Sequence, residues 1–130
     1  MSFQSDYYKP LCDYLLELLK PINSSKYTFD QEILRRDFVS RSYYTALLHC
    51  KNLVEEDIDK NILGTHAQVI NATNDEISID LRKLKSLRVM ADYDTNTFPM
   101  PLKTKKEIVH LERIQAIVNN IISKDYDNIT

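Results

Sequence analysis

Apolar positions recur every three or four residues in five separate stretches, and none alternates convincingly with period two, so the pattern predicts helices without strands. Tyr8, Leu11, Leu15, Leu18 and Leu19 set a helix over Tyr8 to Lys20, with Pro21 as its stop. Asn23, Ser24 and Ser25 mark Ile22 to Phe29 as a loop. Asp30 is then a candidate N-cap for a long helix from Gln31 to Glu56, with Glu32 in its favourable first turn. In this segment Ile33, Phe38, Val39, Tyr43, Ala46, Leu47, Leu53 and Val54 make an apolar surface too broad for one stripe, which predicts a central helix. It would extend about 39 Å. Glu55, Glu56, Asp57 and Asp59 end the pattern, and Gly64 supplies the point where the backbone reverses freely.

Thr65 to Ala72 predicts a short helix with Ala67, Val69 and Ile70 apolar, closed by the turn cluster Thr73-Asn74-Asp75. Ile77, Leu81, Leu84, Leu87 and Val89 give a further helix from Ile77 to Met90. Asp92 to Pro101 has no period and reads as an extended connection. Thr104 followed by Glu107 is a capping box, and Ile108, Leu111, Ile114, Val118 and Ile121 step into a final helix. The expected fold is all-α, an up-and-down bundle of four or five helices in one domain over residues 1–130.

Composition narrows the chemistry. With a single Gly among 130 residues, neither a P-loop nor a GxGxxG turn is possible, and a tightly turned all-β fold is disfavoured. The net charge of −2 lacks the global basic bias of an electrostatically driven nucleic-acid binder, so any RNA contact has to be local. Two scattered cysteines, Cys12 and Cys50, make neither a disulfide framework nor a CxxC metal site and favour a reducing compartment. Met1 to Tyr8 lacks the basic start and apolar run of a signal peptide, and the apolar stretch Tyr14 to Leu19 falls far short of the roughly 20 residues of a membrane span. A cytoplasmic protein without membrane contact is expected.

The three histidines, His49, His66 and His110, include no pair at the i, i+4 spacing of helical metal ligands, so no metal site and no cofactor are expected. Arg41, Thr45 and His49 form a polar stripe on the long central helix, with Tyr44 flanking Arg41. Arg41 and His49 lie about 12 Å apart along the axis and about 80° apart in azimuth. Such a stripe either borders a functional groove or is paired internally, Arg41 to a carboxylate across the bundle and His49 to a backbone carbonyl. Arg82, Lys83, Lys85 and Arg88 make a dense basic run, followed by Tyr93, whose ring could stack on a base. The plain alternatives are a solvated helix face and an i, i+4 salt bridge between Arg88 and Asp92.

Three segments are similar to those of a known family. Ser40-Arg41-Ser42-Tyr43-Tyr44-Thr45-Ala46-Leu47-Leu48-His49 resembles the "SRxYYAxxH" helix of bacterial and archaeal HEPN domains, the higher eukaryote and prokaryote nucleotide-binding family. Gly64-Thr65-His66 with Val69-Ile70 resembles the short "THxxV" helix of the same subgroup, and Leu87-Arg88-Val89-Met90-Ala91-Asp92-Tyr93-Asp94 resembles its "LRxxADYD" ending. The resemblance covers roughly residues 10–123 and implies a helical bundle that commonly dimerises around a polar cleft. Many members are metal-independent endoribonucleases of toxin–antitoxin or phage-defence systems, often beside a nucleotidyltransferase antitoxin.

On that resemblance, Arg41, His49 and His66 are the catalytic candidates, and Tyr44, Arg82, Arg88, Asp92 and Tyr93 the RNA- or nucleotide-binding ones. Catalytic members place an Arg and a His about four to six residues apart, one to two helical turns. Here Arg41 and His49 have seven residues between them, and no His follows Arg88 within that range. Two readings therefore stand: a ribonuclease-like RNA-targeting component, and a non-catalytic HEPN module that binds a nucleotide or a defence partner. Silencing by modification of a tyrosine such as Tyr93 is a third.

Overall fold

The computed structural model describes residues 5–20, 31–59, 61–62, 64–93 and 105–130. These contain six α-helices: α1 Ser5–Leu19, α2 Gln31–Leu53, α3 Thr65–Asn71, α4 Asp75–Tyr93, α5 Lys105–Ile122 and α6 Tyr126–Ile129. No strand occurs among the described residues, and the architecture is an all-α helical bundle.

The centre is α2, against which α1, α4 and α5 all pack. Its apolar side chains therefore point in several directions, and Phe38, Val39, Tyr43, Ala46 and Cys50 are all fully enclosed. The other helices are one-sided. From α1 the core takes Cys12, Leu15, Leu16 and Leu19, from α4 Ile77, Leu81 and Leu84, and from α5 Leu111, Ile114, Val118 and Ile121. Each spacing follows the three-four period, so each helix buries one face and leaves the other to water. A leucine enclosed in this way is worth about 2 kcal/mol in removed apolar surface.

Several boundaries differ from expectation. The first helix starts at Ser5 and carries Pro10 within it. The long helix ends at Leu53, because Glu55–Asp57 tighten into a 3-10 turn whose Asp57 and Ile58 amides donate to Val54 and Glu55. Val54 and Ile58 are buried, which is why the apolar pattern runs on past the end of the α-helix. The Thr73-Asn74-Asp75 cluster is an α4 N-terminus as well as a turn, since Asn74 Oδ1 accepts from the Ile77 amide at 3.0 Å and Asp75 and Glu76 sit in the first turn. At the other end α4 continues through Asp92 and Tyr93, which were expected in the connection. The expected caps at Asp30 and Thr104, the 22–29 loop and the rest of the connection from Asp94 on lie outside the described residues.

The sixth helix, α6, was not expected. Asp125 caps it by accepting from the Asn128 amide, and Ile129 is buried. Asn74 anchors it by donating from its amide to Ile129 O at 2.7 Å and from Nδ2 to Asn128 O at 3.0 Å. In the turn that precedes it, Lys124 O accepts from His49 Nε2 at 2.7 Å.

Candidate functional site

Arg36 fixes the register of α2 against the end of α4. Its Nη1 donates to Met90 O and Ala91 O at 3.3 and 3.0 Å, satisfying carbonyls that the terminating helix leaves open. One turn further along α2, Ser40 Oγ donates to Asp92 Oδ2 at 3.3 Å. These bonds hold the last turns of α4 over the Tyr43-Tyr44 pair.

Arg88 is the hub. Its Nη2 donates to the Tyr44 hydroxyl, and its Nε lies 3.2 Å from Asp92 Oδ2, within ion-pair reach but without hydrogen-bond alignment. The guanidinium carbon sits 5.2, 5.6 and 5.9 Å from the ring centroids of Tyr44, Tyr93 and Tyr43, a cation–π arrangement with three rings. Its side chain is 15% exposed, so the charge is partly desolvated and still reaches solvent. The bond to Tyr44 leads the effects that raise the Arg88 pKa, so the guanidinium is a permanent cation.

His66 enters from α3. Gly64, in the left-handed region at φ 87°, turns the chain into that helix and places Thr65 and His66 at its start. His66 Nδ1 is 3.2 Å from the Tyr43 hydroxyl, and its ring lies 5.8 and 5.9 Å from those of Tyr43 and Tyr44. Burial depresses the His66 pKa below its ordinary value, with the Lys85, Arg88 and Lys51 charges pushing the same way. Burial drives the Tyr43 hydroxyl up to about 12, against the opposing pull of Arg88, so it stays protonated. A neutral imidazole on a protonated phenol has two forms. Either Nδ1 accepts from Tyr43 and Nε2 carries a proton to donate, or Nδ1 donates and Nε2 is a free base. In both, Nε2 is the atom left for a ligand.

The candidates therefore separate. Tyr44, His66, Arg88, Asp92 and Tyr93 come together in this one cluster. Arg41 does not join it: it is exposed, its guanidinium lies 5.7 Å from the Tyr8 ring on α1, and its carbonyl accepts from Thr45 Oγ1. Thr45 and Cys12 Sγ meet at 3.4 Å, which makes that part of the polar stripe an α1–α2 contact. His49 is spent on the Lys124 carbonyl, the internal pairing that its position allowed. An azimuth difference of about 80° is enough to send Arg41 and His49 to different neighbours. Arg82 is exposed and lines a trough against α5, so the basic run splits between two faces of α4.

Tyr43, one of the apolar positions of the long helix, is buried and is also the residue that meets His66. Both cysteines are buried thiols, and burial pushes Cys50 up to about 12, which leaves it unreactive. Among the described residues no three of His, Cys, Asp and Glu gather in a way that could hold a metal, and no helix is long and apolar enough to cross a membrane. No protein-family model matches the chain, and neither a curated protein nor a solved structure shows a significant match to it.

Proposed function

We propose that this chain is a HEPN-like, RNA-targeting protein, the metal-independent endoribonuclease-like component of a toxin–antitoxin or phage-defence system, and that Arg88 and His66 face the RNA. One observation carries the reading. The three segments that resemble the family are distant in sequence, and they meet in a single cluster: Ser40, Tyr43 and Tyr44 from the first, His66 from the second, and Arg88, Asp92 and Tyr93 from the third.

The chemistry that such a pair supports is phosphodiester transfer. His66 Nε2 in its basic form takes the proton of the ribose 2′-hydroxyl. The 2′-oxygen bonds to the adjacent phosphorus, and the P–O5′ bond breaks. The 5′-oxygen takes a proton from water, giving a 2′,3′-cyclic phosphate and a 5′-hydroxyl. Arg88, whose Nη1 is not used by Tyr44 or Asp92, stabilises the added charge on the phosphorane oxygens. Tyr93, 70% exposed beside Arg88, offers a ring on which a base stacks. A homodimer would set two such clusters around one cleft, and the site would serve in the cytoplasm.

A second reading has its own support. Arg88 already binds Tyr44 and Asp92, as in a clamp that recognises without reacting. The protein would then be a non-catalytic nucleotide- or partner-binding module working with a nucleotidyltransferase or other defence protein, with Tyr93 open to modification. Incubating end-labelled single-stranded RNA with the protein in EDTA separates the two. Fragments ending in 2′,3′-cyclic phosphate that disappear with Arg88→Ala and His66→Ala support the nuclease. Retained RNA binding without fragments supports the module, and neither binding nor cleavage at high protein concentration refutes the RNA assignment.

A further inference from the structure

Helices α4 and α5 both lean on α2 and scarcely touch each other, which leaves a trough between them with a volume of about 620 Å³. Its floor is aliphatic, with Ile79, Leu87, Ile114 and Ile117, and Ile79 is 51% exposed. Arg82 and Lys83 border it on the α4 side and Arg113 on the α5 side, and no lining residue is acidic. Among the described residues these three cations form no ion pair with a carboxylate. The lining runs over Ile79–Leu87 and His110–Ile117, about 12 and 10 Å, close to two helical turns on each side.

The geometry points to a docking site for a partner protein's acidic amphipathic helix, lying in this trough with its apolar stripe on the aliphatic floor and carboxylates on both flanks. Apolar anchors at i, i+3, i+4 and i+7 match a floor of two turns, as in helix-in-groove recognition. Charge selects the occupant. Cations on both rims complement a helix with acidic flanks, whereas a second copy placed symmetrically would set Arg82, Lys83 and Arg113 against themselves. RNA fits the rims better than the floor, which is aliphatic and offers no Phe, Tyr or Trp for successive bases to stack on, His110 being the one ring in the lining. This site is independent of the Arg88–His66 cluster.

The test uses the whole protein and a fluorescein-labelled stapled peptide of about three helical turns with leucine anchors and glutamate flanks. A twin peptide carries lysine in place of glutamate. The glutamate peptide should bind saturably and weaken with salt, and Arg82→Glu with Arg113→Glu should cut its affinity about tenfold while admitting the lysine twin. Both arginines are exposed, so an unchanged circular dichroism spectrum is expected for the double variant. Equal binding of the two peptides, no binding of either, or indifference to the double variant overturns the proposal. So does a concentration-dependent dimer that competes with the peptide, which would give the trough to a second copy.

Discussion

Tyr43 and Tyr44 are adjacent yet do different work, because successive helical positions turn by about 100°. Tyr43 points into the core and meets His66, while Tyr44 stays half-buried and takes the Arg88 bond. The residue with the most informative titration is His66. Its pKa is lowered first by burial and then by Lys85, Arg88 and Lys51, so protons bind the unfolded chain more readily than the folded one. The stability held by the neutral ring is complete above the ordinary value of 6.5 and is lost as pH falls from there through the lower folded value. Following the His66 ring protons by NMR should give a pKa below 6.5 in the wild type and a rise with Arg88→Ala. An unchanged value in that variant would contradict the proposed coupling. If His66 is the base, the acid limb of a cleavage profile should lie at the same depressed value.

At the scale of elements, Gly64 carries the entry into α3. Its φ of 87° lies where a side chain is strained, although a Cβ there would meet nothing within 4 Å. Gly64→Ala should therefore cost about 1 kcal/mol through the backbone alone, measured by chemical denaturation. A cost near zero would mean that the turn relaxes to a conformation open to other residues. The helices themselves were legible because each buries one face at a regular period, and α2 was legible as central because its apolar positions wrap round it. Their ends were less so. The core continues through Val54 and Ile58 after the α-helix stops, and α6 is four residues long with only Ile129 buried, too short for any period to show.

Across the whole molecule, what the chain order hides is which polar residues meet. The segments carrying Tyr44, His66 and Arg88 each look plausible alone, and their convergence depends on bonds such as Arg36 to the Met90 and Ala91 carbonyls that no local pattern reveals. The same reason explains Arg41 and His49, which share a stripe on one helix and are drawn apart by Tyr8 and Lys124. A net charge of −2 is compatible with this arrangement, because Lys85 and Arg88 bring positive charge to the His66 face while Arg82 and Lys83 face the trough beside α5.

The central claim is that RNA meets the protein at Arg88 and His66, and the most direct measurement is an NMR titration of the protein with a short single-stranded RNA, observing histidine ring and arginine Nε resonances together. The account predicts that His66 and Arg88 shift in a saturable way while His49 and Arg41 stay in place. Shifts confined to His49 and Arg41, or none at saturating RNA, would contradict it.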